Sequence, residues 1–205
     1  MEAQEEKSQR RDRAAIVADV RDALVRVLQH KPFNDVTVDE LAREAGLSRT
    51  AFYFYYNDKN QVLGAVLEGL RDVAIEQAAE WWSGEGEPAV MIHSVTRNIG
   101  ALWETHAGVL RAAVEVMSYD PEFSKFYNGL MDDFIGATQE HLRRERDAGK
   151  LRQDVDPDRS AEVLVWMGER CHYVGLLKGR TPEETADALT DIWVHALYPD
   201  GTASA

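Results

Sequence analysis

A single cysteine, Cys171, stands in a chain of 205 residues, so no intramolecular disulfide can form and the composition suits a reducing cytoplasm. Set in an apolar helical pattern with no supporting base, it reads as core packing rather than as a nucleophile. No apolar run approaches the ~18 residues that a membrane-spanning helix needs. The opening stretch MEAQEEKSQRRDR lacks the apolar region of a secretory signal. A cytoplasmic protein with no membrane partner is expected. The six histidines, His30, His93, His106, His141, His172 and His195, include no i,i+4 pair with a flanking glutamate, so the helical zinc motif is missing. His141 near Asp132 and Asp133, and His106 near Glu104, read better as surface groups than as ligands. No metal and no other cofactor are expected. A phosphate-cradling glycine loop, a G-x-S-x-G elbow and paired Glu-x-x-His motifs are also missing. An enzyme is therefore not expected; a helical-bundle enzyme or lipid carrier is left as an alternative without a chemical signature.

Charge of one sign is scarce overall: 23 basic side chains face 36 acidic ones, a net charge of −13. The deficit is not uniform. Residues 8–60 carry nine basic and eight acidic side chains, whereas residues 61–205 carry thirteen and twenty-five. Such asymmetry suits a two-part molecule in which only the N-terminal part approaches phosphate. The predicted divisions are a disordered tail over 1–9, a DNA-binding domain over 10–58, a connecting helix over 59–82 and a regulatory domain over 83–205. Ile16, Val20, Leu24 and Leu28 step by four residues and predict an amphipathic first helix that ends before Lys31-Pro32.

The stretch VTVDELAREAGLSRTAFYFYYNDK, from Val36 to Lys59, organises the rest. Thr37 is placed to cap a first short helix, with Glu40 completing a capping box. Gly46 occupies the position where a helix end wants a left-handed residue. Leu47 plugs the corner and Ser48 caps a second helix from Arg49. These are the parts of a helix-turn-helix. Arg49 suits guanine, Thr50 offers a hydroxyl and a methyl, and Tyr53 and Lys59 suit phosphates. Arg10, Arg11 and Arg13 either reach phosphates and the minor groove or simply solvate a helix end. The DNA-facing set is thus Arg10, Arg11, Thr37, Val38, Ser48, Arg49, Thr50, Tyr53, Tyr55 and Lys59. A plain helical hairpin would bury its aromatics, which suits Phe52 and Tyr56 but not all of Phe52-Tyr53-Phe54-Tyr55-Tyr56.

Gly46-Leu47-Ser48, Tyr53-Phe54-Tyr55-Tyr56 and Lys59 resemble the signature of the TetR family of bacterial repressors, and the run FYFY at Phe52–Tyr55 resembles its EthR-like branch. The resemblance implies an operator-binding dimer whose body encloses an elongated hydrophobic cavity.

Beyond Pro88 helix follows helix, at about 89–106, 107–119, 121–148, 157–178 and 182–198, with Pro121, Pro157 and Pro182 in first-turn positions. An all-α protein of about nine helices is expected. The helices 157–178 and 182–198 are apolar on two sides and so require two partners. Leu164, Met167, Cys171, Val174, Ala188, Ile192 and Ala196 are assigned to a homodimer interface; a monomer with an unusually broad core is the alternative. Trp103, Met117, Tyr127, Met131, Phe134, Thr138, Trp166, Arg170, Tyr173 and Trp193 are assigned to a pocket for a small hydrophobic effector. The resemblance places Tyr127, Phe134, Thr138, Tyr173 and Trp193 in the lining. One departure stands out: an Asn-Glu-Arg run frequent in the branch reads Gly168-Glu169-Arg170 here. The function expected is a transcriptional repressor released from a palindromic operator by that effector; a DNA-binding regulator without a ligand is the alternative.

Overall fold

The helix caps dictate the element order. Thr37, Ser48, Glu87, Asp156 and Thr181 each accept a backbone N–H with a side-chain oxygen at the start of a helix. The computed structural model describes the backbone over residues 2–199 and side chains over residues 13–199. Among these residues the helices are α1 (Glu2–Val27), α2 (Val38–Glu44), α3 (Arg49–Tyr55), α4 (Lys59–Trp82), α5 (Pro88–Thr105), α6 (Ala107–Met117), α7 (Pro121–Asp147), α8 (Pro157–Leu177) and α9 (Pro182–Leu197). A single 3-10 turn, Phe33–Asp35, links α1 to α2. No helix among the described residues is long and apolar enough to cross a membrane.

α1 begins at Glu2, so the backbone of residues 2–9 is helical where the sequence predicts a disordered tail. Glu, Ala, Gln and Lys dominate this stretch and neither glycine nor proline interrupts it, so intrinsic helix propensity overrides its lack of an apolar stripe.

The chain divides into two compact units. The first holds the residues up to Gly69 together with Gly108–Ser124. Its core is built from Val20, Leu24, Phe33, Leu41, Phe52, Val62 and Leu63, all essentially inaccessible to solvent. Burying each large side chain of this kind contributes roughly 2 kcal/mol. Recruitment of α6 departs from the predicted boundary, which assigned it to the regulatory domain. Its cause is a close backbone approach: a Cβ on Gly108 would stand 2.5 Å from the Leu28 carbonyl oxygen, so only glycine fits. Asn34 adds a hydrogen bond to Glu115 and accepts one from the Tyr119 hydroxyl, and Asn60 donates to Asp120 at 2.8 Å.

The second unit comprises Leu70–Ala107 and the chain from Lys125 onward. Trp81, Ile92, Val95, Leu142, Leu164, Leu189, Trp193 and Leu197 form its continuous core. α9 is locked at its start by a complete capping box between Thr181 and Glu184. The boundary between the units falls inside α4, between Gly69 and Leu70.

Candidate nucleic-acid interface and effector pocket

Local capping builds the helix-turn-helix. The Thr37 hydroxyl accepts from Glu40 N at 3.2 Å. Only half of the predicted capping box forms, because the Glu40 carboxylate is taken by Lys31 Nζ at 2.6 Å, which holds it below its usual carboxylate range. Gly46 adopts φ +70°, and Leu47 N then donates to the Ala42 carbonyl at 2.7 Å. The Ser48 hydroxyl accepts from Ala51 N and starts α3. At the next junction Asp58 Oδ1 accepts from Gln61 N, while the Gln61 amide oxygen accepts from Asn57 N.

Phe52 is fully buried and Tyr56 nearly so, which fixes the roll of α3. Arg49, Thr50, Tyr53 and Phe54 are left exposed, with Tyr55 half-buried; Thr37 and Ser48 are exposed beside them and Val38 is half-buried. Arg49, Thr50, Tyr53 and Phe54 form one polar and aromatic face along this seven-residue helix, with Arg49 and Thr50 in its first turn. Phe54 is 72% exposed, and the predicted DNA-facing set omitted it. Helical phase could have found it, since it lies about 200° around the helix from Phe52. The Arg13 guanidinium lies 6.0 Å from its ring centroid, which makes an exposed cation–aromatic pair. Arg10 and Arg11 lie outside the described side chains.

Two of the predicted contacts are engaged within the protein. Arg49 Nη1 donates to Asp39 Oδ2 at 2.6 Å, and its Nη2 donates to the Tyr53 hydroxyl at 3.3 Å. Lys59 Nζ donates to the carbonyls of Phe33, Asn34 and Val36 at 2.8, 3.3 and 2.9 Å, and lies 4.6 Å from the Phe33 ring centroid. Three ammonium hydrogens thus end on three carbonyl oxygens. Lys59 first of all ties the 3-10 turn to α4, and burial pushes its pKa down. Its predicted phosphate contact rests on charge rather than on a free donor.

The predicted pocket residues fall into separate groups. Met117 belongs to the first unit and the other nine to the second. Tyr127 donates to Glu169 Oε1 at 3.2 Å, Glu169 Oε2 lies 3.6 Å from Arg170 Nε, and the Arg170 guanidinium stands over the Tyr173 ring at 5.1 Å. Tyr173 meets Trp103 edge-on at 6.3 Å. Burial pushes the Glu169 carboxyl up, against opposing pulls from Arg170 and the Tyr127 hydroxyl. Glu169, visible in the sequence only within Gly168-Glu169-Arg170, is the acidic member of this string. A second group joins Phe134 and Thr138 through Trp82, whose indole N–H donates to the Thr138 hydroxyl at 3.2 Å. Trp193 stands apart, packed against Trp81 at 5.4 Å in the unit's core. Met131 is buried and Trp166 half-buried.

The assigned interface residues also divide. Leu164 is 4% exposed and belongs to the core, with Met167 and Cys171 packed against it. Leu164, assigned to the interface, thus faces the unit's own core, about a quarter turn from the outward stripe of α8. That stripe runs Val163, Met167, Arg170, Val174 and Leu177, with Val163 and Leu177 more than half exposed. On α9 Ala188, Ile192 and Ala196 are exposed. His141 is also corrected, being 1% exposed rather than a surface group; the ring stacks edge-on against Trp81 at 4.8 Å. The one cluster of metal-ligating type among the described residues is instead His93 with Glu183 and Asp187, at 3.4 and 3.2 Å.

Comparison with known proteins agrees with this architecture. Residues 20–66 match the bacterial regulatory proteins of the tetR family, and residues 92–199 match the C-terminal domain of the transcriptional regulator EthR. The HTH-type transcriptional regulator EthR of Mycolicibacterium smegmatis is 34% identical over 201 residues, covering 93% of this chain and 89% of its own. SmeT, the repressor of the Stenotrophomonas maltophilia multidrug efflux pump SmeDEF, superposes with a TM-score of 0.70 at 19% identity, over 94% and 93% of the two chains. FadR of Bacillus subtilis, solved in complex with stearoyl-CoA, gives 0.75 at 13% identity, over 88% and 99%. The helix-turn-helix of the first unit and the helical second unit are accordingly those of a transcriptional regulator, and the chain belongs to the TetR family, with an EthR-type C-terminal domain.

Proposed function

We propose that this regulator is a cytoplasmic, homodimeric repressor that leaves a palindromic operator when a small hydrophobic molecule enters its second unit. The observation that carries the reading is the exposed face of α3, where Arg49, Thr50, Tyr53 and Phe54 project from a helix whose opposite side is fixed by buried Phe52. Side chains at the start of a recognition helix reach base edges in the major groove. Ser48 and Thr37 flank them at two helix N-termini, where backbone N–H groups favour phosphate.

Dimerisation is supported by the outward apolar stripes of α8 and α9, Val163, Met167, Val174 and Leu177 with Ala188, Ile192 and Ala196. Two copies of such a pair would close a four-helix interface and present two recognition helices to half-sites one helical turn apart. An apolar effector is supported by the aromatic groups around Tyr127, Phe134, Thr138 and Tyr173, and by the stearoyl-CoA held by the structurally similar FadR. The effector acts by binding the DNA-incompetent form more tightly than the competent one. No residue is assigned a catalytic role.

Footprinting on fragments selected from genomic DNA tests the reading. A protected site with dyad symmetry is expected, and Thr138→Trp, which places bulk beside Trp82, should give a folded dimer with altered operator occupancy or altered release. A protected site without symmetry, or a Thr138→Trp protein identical to wild type in both respects, contradicts it.

A further inference from the structure

The second unit contains a cleft that shares only Trp103 with the residues assigned to the effector pocket. It lies among the last turns of α5, the end of α8 and the first turn of α9, with a free volume of about 130 Å³. Gly100 lets α5 approach its floor closely: a Cβ there would stand 3.1 Å from the Pro182 Cβ and 3.4 Å from His172 Nδ1. Trp103, Leu176 and Pro182 give it apolar walls. The inner end is polar. His172 and Thr185 are each 5% exposed and both line the cleft. The Thr185 hydroxyl donates to the Thr181 carbonyl at 3.2 Å and keeps its lone pairs for another donor. The His172 ring makes no hydrogen bond to another described residue, and its nitrogens are not among the sealed, unpaired polar atoms, so they stay open to the cleft. Burial alone lowers its pKa to about 4, so at neutral pH the ring presents one N–H donor and one bare nitrogen. Glu104 and Arg180 are exposed at the rim.

We propose that this cleft is a second ligand site, which takes a single-ring hydroxyaromatic carboxylate. The volume matches one benzene-sized ring, since a cavity of roughly 150 Å³ holds benzene. A phenolic hydroxyl at the inner end can donate to the bare imidazole nitrogen, or accept from its N–H while donating to Thr185. The ring lies against Trp103 and Pro182, and the carboxylate at the outer end pairs with Arg180. Long acyl chains are excluded by size, which separates this ligand class from the apolar effector of the interior.

Calorimetric titration of the full-length protein with 4-hydroxybenzoate tests the site. Saturable binding of one molecule per chain is expected, at least tenfold weaker for benzoate, which lacks the hydroxyl. Arg180→Gln, at an exposed position, should weaken 4-hydroxybenzoate at least fivefold. His172→Phe should abolish binding, provided its circular dichroism and melting remain native-like; otherwise the benzoate and Arg180→Gln comparisons decide. Thr138→Trp should leave the affinity unchanged. No saturable heat at millimolar probe, or equal affinities for both acids together with wild-type binding by Arg180→Gln, overturns the proposal. So does loss of binding on Thr138→Trp alone, which would place the probe in the interior.

Discussion

Arg49, the first residue of α3, donates to the carboxylate of Asp39, the second residue of α2, at 2.6 Å. Both side chains are 59% exposed, so the pair itself adds little to stability. Its importance lies in competition. A guanine edge or a phosphate must draw the guanidinium from Asp39, or share it. Asp39→Ala is expected to leave the melting temperature nearly unchanged while tightening binding to non-operator DNA, because one negative charge leaves the DNA-facing surface. Electrophoretic titration on operator and random DNA checks this; a narrower affinity ratio between the two is expected, and an unchanged ratio contradicts the gating role.

Lys59 invites a sharper separation of two roles. If its ammonium chiefly ties the Phe33–Val36 turn to α4, Lys59→Met should destabilise the protein by roughly 2–4 kcal/mol, since hydrogen bonds from a charged donor contribute about 1.5–3 kcal/mol each and are not additive. If it chiefly binds phosphate, stability should hold and the salt dependence of DNA binding should flatten by roughly one unit. Urea unfolding followed by titration at several salt concentrations distinguishes the two. Its three carbonyl contacts favour the first outcome.

A charge on the outward stripes should act differently from one in the core. Ile192→Glu, at a position 52% exposed, is expected to fold and to sediment as a monomer with lost operator binding. Leu164→Glu, at a position 4% exposed, should instead fail to fold or melt far below wild type, because it buries an unpaired carboxylate. A dimeric Ile192→Glu protein with full affinity removes α9 from the interface.

The buried imidazoles give stability a pH dependence of definite sign. The folded pKa of His172 is about 4, against roughly 6.5 in the unfolded chain. Below pH 6.5 the unfolded chain takes up the proton first, so stability falls as pH drops from 6.5 towards 4, by about 3 kcal/mol for this residue. His141, whose pKa burial also lowers, acts in the same direction. Glu169 opposes them, since its raised pKa means the cost of its buried charge fades as the carboxyl protonates. The contribution of His172 is isolated by comparing wild type with His172→Phe, which should lose stability less steeply over that window in denaturant titrations. Parallel profiles would show that the ring is solvated in the folded state.

The helices were legible because their boundary chemistry is local. Thr37, Gly46, Ser48, Pro157 and Pro182 each act within a turn of their own position, and α4 runs over the predicted Lys59–Trp82. What escaped was decided at long range. Nothing in the spacing around Lys59 indicates that its ammonium will meet carbonyls more than twenty residues earlier. Nor does periodicity distinguish the two apolar sides of α8, one facing core and one facing out, which is why Leu164 was assigned outward. The cleft at Gly100 depends on a glycine in one helix facing a proline in another, a coincidence that a one-dimensional pattern does not carry.

The last turn of α4 holds no basic residue of its own. Its positive complement comes from the end of α7 and the turn that follows, where Arg144 donates to the Trp82 carbonyl at 2.7 Å and Lys150 to the Gly84 carbonyl at 3.2 Å. Cations at that position offset the negative end of the macrodipole of α4. The C-terminal half of α4 consequently borrows its ending from a segment some sixty residues later in the chain.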